Sequence, residues 1–281
     1  MNPEPSPSRC KVAFFLGCFA LLTACASGVG DRSPRTGSAI PPDLPPDPVP
    51  RDEPRSRYGN GPYYEVLGRT YRVMDTSYGY RERGVASWYG KKFHGRPTSS
   101  REPYDMYAMT AAHKSLPLPT YVRVRNLRNN RSVVVRVNDR GPFVDNRLID
   151  LSYSAAVRLD MIRSGTSLVE VTALSFDEPP VTAAREPVSN TVPEPARTTP
   201  AADEPTLFVQ VGAFGEVENA RRRYRLLRDS GVDHVSVHED LSRTPALYRV
   251  RIGPIHDVLQ YDSVVAHLRN LGISETHLVS D

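Results

Sequence analysis

Cysteine is nearly missing from this chain of 281 residues: the three present are Cys10, Cys18 and Cys25. Beyond Cys25 there is no thiol at all. That excludes a disulfide framework, a cysteine-ligated zinc site and thiol redox chemistry in everything that follows. Tryptophan occurs once, as Trp88. Histidine is sparse too, and His94 and His113 stand too far apart in sequence to show ligand spacing, so neither a metal nor another cofactor is expected. The apolar run Val12 to Leu22 is shorter than the roughly 20 residues a helix needs to cross a bilayer. Hydrophobic residues make up only 39%, so part of the chain lacks the means to build a core.

What stands at the N-terminus is a targeting pattern. Arg9 and Lys11 precede the apolar run, and Leu22-Thr-Ala-Cys25 closes it. Small residues before a cysteine at that place resemble the lipobox of bacterial lipoproteins. The resemblance implies a signal peptide over 1–24 and acylation of Cys25, and more than one acyl chain anchors a protein stably. The other reading is an ordinary secretory signal that happens to hold a cysteine, but lipidation gives this unpaired thiol a purpose. Ala26 follows, and a residue other than Asp there implies transport to the outer membrane, with the protein facing the periplasm.

Proline divides the remainder. Nine prolines fall between Pro34 and Pro62, and seven between Asp177 and Pro205. Such composition favours extended, polyproline II-like chain, so 25–62 reads as a tether and 177–205 as a disordered linker. Two folded segments remain, 63–176 and 206–281. Residues 82–176 carry fifteen Lys or Arg against eight Asp or Glu, a net of +7, whereas 206–281 carry nine against ten, a net of −1. For an exported protein the available polyanions are peptidoglycan and anionic lipid rather than nucleic acid, though for charge alone a solvated basic face with no specific partner is the better reading.

The first segment is strand-like. Residues 64–74 read as a hairpin around Gly68, and 84–90, 121–126 and 132–138 as strands. Helical character is clear only over Ser152–Ile162, with Gly165 as its stop. Short strands with turn punctuation argue for a small barrel. Seven of the fourteen tyrosines and Trp88 lie between Tyr58 and Tyr89, and such rings suit either sugar faces or strand packing. In the stretch Val133-Val-Val-Arg-Val-Asn-Asp-Arg-Gly-Pro-Phe143, alternation puts Val133, Val135, Val137 and Asp139 on one face. Asp139 thus ends an apolar row, where partial desolvation favours a general acid; Asp-Arg-Gly-Pro is also good turn chemistry. Both readings stand on these residues alone.

Further blocks occur in order: Gly84-Val-Ala-Ser-Trp-Tyr-Gly90, Phe93-His-Gly-Arg96, Tyr104-Asp-Met106, Thr110-Ala-Ala-His-Lys114, Val137-Asn-Asp-Arg-Gly-Pro-Phe143 and Ile149-Asp-Leu-Ser152. Together they resemble the rare lipoprotein A family of septal lytic transglycosylases. The resemblance implies a double-psi β-barrel that cleaves peptidoglycan glycan between N-acetylmuramic acid and N-acetylglucosamine, leaving a 1,6-anhydro end. It places the family's catalytic residues on Asp139, Glu102 and His113. Asp139 would act as acid and then base, Glu102 would stabilise positive charge or orient the sugar, and His113 would bond a carboxylate or the glycan. Trp88, Tyr89, Asn138 and Arg140 are the expected substrate contacts beside them. One residue departs from the pattern: Arg101 stands before Glu102 where the family usually has glycine. Arginine disfavours positive φ and Pro103 restricts Glu102, so a different loop is expected here.

The second segment reads strand, helix, strand, strand, helix, strand, a small α+β fold with one open sheet face. Val209-Gln-Val-Gly-Ala-Phe214 and Tyr248-Arg-Val-Arg-Ile-Gly-Pro254 resemble the SPOR domain, which implies binding to septal glycan stripped of stem peptides. Alternation puts Phe208, Gln210, Arg249 and Arg251 on the open face. The expected partners are therefore denuded glycan strands, the membrane through Cys25, and proteins of the division site, with no nucleic acid. A non-catalytic, expansin-like wall-binding lipoprotein is the competing expectation.

Overall fold

The computed structural model describes residues 44–174, 206–242 and 244–280. The signal segment, Cys25 and the linker expected over 177–205 lie outside them. The first part opens with a hairpin, β1 (Tyr63–Val66) and β2 (Arg69–Arg72), turning at Leu67-Gly68. Six strands follow: β3 (Arg81–Trp88), β4 (Thr110–His113), β5 (Thr120–Asn126), β6 (Ser132–Asp139), β7 (Arg147–Leu151) and β8 (Ser167–Ala173). They close into a double-psi β-barrel in the order β3-β7-β4-β6-β5-β8. The pairings β3–β7 and β4–β6 are parallel and the rest antiparallel. The short helix α1 (Tyr153–Arg158) is capped by Ser152, whose side chain accepts from Ala155 N. It is shorter than the expected Ser152–Ile162, because the chain turns at Leu159.

Alternation explains the barrel interior. Val122 and Val124 of β5, Val133, Val135 and Val137 of β6, Ile149 and Leu151 of β7, and Val169 and Val171 of β8 are all buried in one cluster. β-branched residues suit these pleated, crowded strands, and each such side chain contributes about 1.5–3 kcal/mol when removed from water.

The expected tether over 25–62 differs from the structure in its described part. Residues 44–60 lie along the barrel as a strap. Arg158 Nη1 donates to Pro45 O and pairs with Asp47 at 2.6 Å. Ser56 N donates to Leu118 O at 2.8 Å, and the Asn60 amide brackets Leu118, donating to its O at 2.6 Å and accepting from its N at 2.8 Å. Composition pointed to extended chain; residues 44–56 carry no regular secondary structure and 57–59 bend. What composition omitted is that a proline-rich strand leaves its backbone polar groups free to bond elsewhere. A protein starting at Tyr63 should unfold at lower urea than one starting at residue 44, by at least about 2 kcal/mol, since hydrogen bonds to charged groups are lost with it. Equal midpoints would rule out a structural role for the strap.

The second part is β9 (Leu207–Phe214), α2 (Val217–Asp229), β10 (Val235–Asp240), β11 (Leu247–Ile255), α3 (Val258–Asn270) and β12 (His277–Ser280). Its sheet runs β10-β11-β9-β12, all antiparallel. Val209, Val250 and Ile252 meet Ala220 and Leu227 of α2 and Val265 and Leu268 of α3 in the core, so the helices cover one face.

Candidate functional site

The site forms where β6 ends. Against β4, Ala111 faces Val137 and Ala112 faces Asp139, so Asn138 is an extra residue, a bulge. The bulge brings Asn138 and Asp139 under the loop 97–103, which is closed by a bridge between Pro97 and Pro103. Ser100 N donates to Asn138 O at 3.3 Å. One carboxylate oxygen of Asp139, Oδ1, accepts three hydrogen bonds: from Ser99 N at 2.8 Å, Ser99 Oγ at 2.7 Å and Arg140 N at 2.7 Å. Oδ2 makes none within the described residues, and Asp139 is half-buried.

Glu102 stands on the same loop. Its carboxylate takes Arg136 Nη1 on both oxygens, at 3.0 and 2.8 Å, and Asn138 Nδ2 at 2.8 Å. Burial alone would raise its pKa, but the bonds from Arg136 and Asn138 outweigh it and hold the carboxyl below its ordinary range. Arg136 is held in turn by strap residue Glu53, which pairs with it at 2.8 Å. Burial opposes ionisation of Glu53 as well, yet Arg136, Tyr121 and Arg51 bring it down to about 2. The result is an ordered chain Glu53–Arg136–Glu102 that ends at the loop surface.

On the second part's open face the register aligns Ser236, Arg251, Gln210 and His277 across β10, β11, β9 and β12. This polar ladder crosses the whole sheet. The Arg251 guanidinium lies 5.9 Å from the Phe208 ring centre, and Arg249 pairs with Asp240 at 2.7 Å. Gln210 and Arg251 are more buried than an open face suggests, at 8% and 9% exposure.

Comparison with known proteins decides the family. The model described as "Lytic transglycolase" matches residues 81–171, and the SPOR domain model matches 203–277. The chain is 37% identical over 253 residues to "Endolytic peptidoglycan transglycosylase RlpA" of Vibrio cholerae, covering 88% of each chain. It is 35% identical to the protein of the same name from Pseudomonas aeruginosa, over 83% of this chain and 80% of that one. The chain belongs to the RlpA family. With the Campylobacter jejuni member, identity rises to 53% over 113 residues, 40% of this chain and 41% of that one.

Against the RlpA-family expectations, the structure brings Asp139 and Glu102 together under one loop but rearranges the residues around them. Arg101 takes φ 72°, the left-handed conformation a glycine adopts freely, at a cost of about 1–2 kcal/mol, and its guanidinium rests 5.4 Å from the Tyr58 ring centre. His113 meets neither a carboxylate nor open solvent. It is 2% exposed, and its Nδ1 accepts from Ser115 N and Leu116 N. That tautomer leaves Nε2–H to donate to Tyr80 Oη at 2.8 Å, and Tyr80 donates onward to Glu82.

Arg140 is a structural clamp rather than a substrate contact. Its five N–H donors go to Gly59 O (twice), Asn60 Oδ1, His113 O and Leu116 O. None remains for a glycan. Asn138 is buried and spends its amide on Glu102, so it too positions rather than binds. Tyr89 is buried, with its ring stacked on Tyr104 at 4.1 Å, which covers the face a sugar would use. Trp88 stays half-buried, edge-on to Tyr153 at 5.9 Å. Sequence reasoning missed Ser99, Arg136 and Glu53. Alternation had placed Arg136 on the face of Asn138, and a buried-strand arginine calls for an acid, but the acids come from 34 and 83 residues away. It also missed an aromatic wall beside Asp139: Tyr64 stacks on Tyr71 at 5.2 Å, and Phe143 closes against Tyr71 at 5.5 Å.

Proposed function

We propose that this protein is a lytic transglycosylase that cuts within peptidoglycan strands, breaking N-acetylmuramic acid–N-acetylglucosamine bonds and leaving 1,6-anhydro ends. The observation that carries this is Asp139, with one oxygen fixed by three donors and the other without a partner among the described residues, beside an ionised Glu102 on the loop that covers it. Glycosidic cleavage needs a carboxyl at the reacting oxygens and negative charge near the oxocarbenium-like centre. Asp139 suits the first task. Glu102, locked as an anion by Arg136, suits the second. The nucleophile, the 6-hydroxyl, already belongs to the substrate, so no activated water is required. The half-buried rings of Tyr71 and Phe143 supply apolar faces for the sugars.

The wider setting follows from the same reading. A signal peptide over 1–24 and an acylated Cys25 anchor the chain in the outer membrane, with residues 26–43 and 177–205 as spacers. The SPOR domain directs it to denuded glycan at the septum, through the ladder of Ser236, Arg251, Gln210 and His277 with Phe208 and Arg249. The mature chain 26–281, incubated with sacculi stripped of stem peptides, should release anhydro-ended fragments detectable by mass spectrometry. Binding without any such product would leave the non-catalytic, expansin-like reading. Gln210→Ala, at the centre of the ladder, should weaken sedimentation with denuded sacculi about tenfold, the scale of one lost hydrogen bond, while cleavage of soluble glycan stays unchanged. Undiminished sedimentation would remove the ladder from the binding face.

A further inference from the structure

One row of side chains crosses four neighbouring strands of the barrel. The register pairs Ser87 of β3 with Asp150 of β7, Asp150 with Ala112 of β4, and Ala112 with Asp139 of β6. Residues paired across a sheet share a face, so all four rise from the same side. It is the outer side: their neighbours Ala111, Val137, Ile149 and Leu151 fill the barrel core, while Ala112 packs with Tyr89 and Tyr104 outside it. Strands lie roughly 4.8 Å apart, which puts the Cα atoms of Asp139 and Asp150 about 10 Å apart with only a methyl group between them. Ala112 itself is buried, and Gly141 adds no side chain over it: a Cβ there would lie 3.8 Å from the methyl.

Asp150 has no structural task that accounts for it. It is half-buried, accepts one hydrogen bond, from Ser87 Oγ on Oδ1, and makes no ion pair within the described residues. Four ionisable groups surround it: Lys114 just beyond β4, Arg147 of its own strand, Asp139 of β6, and Tyr89 just beyond β3. Burial pushes the Asp150 carboxyl up, and the negative charge of Asp139 adds to this; Ser87, Lys114 and Arg147 oppose it without cancelling it. Two half-buried carboxyls on one face of the sheet, separated by a single alanine, resemble the acid and base pair of glycosidases, whose carboxyls stand about 5–9.5 Å apart.

We propose that Asp150 is a second catalytic carboxyl, the donor of the proton to the leaving glycosidic oxygen, with Asp139 as the base at the other end of the same row. The inference rests on the transglycosylase reading above and divides between two residues what a single acid–base would do in sequence. Asp150 gives its proton to the glycosidic oxygen as the C1–O bond breaks and the bonding pair moves onto that oxygen. The 6-hydroxyl oxygen of the same muramic acid bonds to C1, and its proton passes to Asp139. The cycle leaves a proton on Asp139 and none on Asp150, and exchange with solvent restores both. No water or other reactant is consumed.

The test compares the mature chain with its Asp150→Asn variant on two substrates: denuded glycan, and a short denuded glycan ending in a p-nitrophenyl group. The aryl leaving group departs without a proton. Asp150→Asn should lose about 10²–10³-fold on the glycan and less than about tenfold on the aryl substrate, and should lose the fall in kcat/KM at high pH. Equal losses on both, or wild-type rates on both, would overturn the assignment while leaving the transglycosylase reading intact. An inactive wild type would remove both. Should Asp150→Asn fail to fold, carbon-13 NMR of the wild type decides: Asp150 should titrate clearly above the usual aspartate value of about 3.9, and a midpoint at or below it would refute the role.

Discussion

Asp139→Asn should abolish release of anhydro-ended glycan, by about 10³-fold or more, and leave the melting transition almost unmoved. The contrast follows from geometry. All three hydrogen bonds to Asp139 fall on Oδ1. An asparagine keeps an oxygen there, so Ser99 and Arg140 keep their acceptor and the loop stays clamped. Its amide nitrogen replaces Oδ2, the oxygen with no partner among the described residues, and it can neither take nor return a proton. Alanine would be a poorer probe, since it strips the acceptor from Ser99 N and Arg140 N and costs stability as well. A variant that folds like wild type yet still releases anhydro ends at near-normal rate would move the chemistry away from Asp139.

The second large effect is on stability. Between pH 6.5 and 4.5 the folded protein should lose about 2–3 kcal/mol, through His113. Burial, with Lys114 and Arg140 adding like charge, holds this imidazole neutral down to about pH 3, against an ordinary value of 6.5. The folded pKa is depressed and the charged form is the one disfavoured. Below pH 6.5 the unfolded chain therefore binds a proton that the folded chain refuses. Its contribution is complete above pH 6.5 and is lost progressively as pH falls towards 3. Protonating Nδ1 would also turn the acceptor of Ser115 N and Leu116 N into a donor aimed at two donors. The strap carboxyl Glu53 has its own window, lower, between about 4.5 and 2, so it does not contribute in the upper part of the range. Urea midpoints measured at intervals from pH 7 to 4.5, with imidazole NMR alongside, check this. A His113 resonance titrating near 6.5 in the folded state would refute it.

The strands near Asp139 were legible because their signal is local. Val133, Val135 and Val137 alternate with polar residues, and nothing beyond the pleat is needed to put them inside. The hairpin at Gly68 and the β–α–β–β–α–β order of the second part were readable for the same reason. The strands β4 and β7 were harder: each is short, and Thr110-Ala-Ala-His113 carries almost no strand propensity. They are strands because barrel closure demands a hydrogen-bonding partner on each side.

Side-chain roles were legible only where the neighbours were. Arg140, adjacent to Asp139 in sequence, looked like a substrate contact, yet its guanidinium reaches back some eighty residues to the strap. His113 looked reactive until its two ring nitrogens were seen to be engaged by Ser115, Leu116 and Tyr80.

By itself, the sequence determined the composition-driven features: a thiol-free body, proline-rich segments, a valine-lined barrel, a basic first domain and a carboxyl at the end of β6. Only the tertiary structure decided which groups meet that carboxyl. Ser99 holds it from 40 residues away, Glu53 steadies Glu102 through Arg136, and Asp150 faces Asp139 across Ala112. The physical reason is that alternation fixes which way a side chain points along one strand. Which residue lies opposite it depends on the register between strands distant in sequence, and that is set only when the barrel closes.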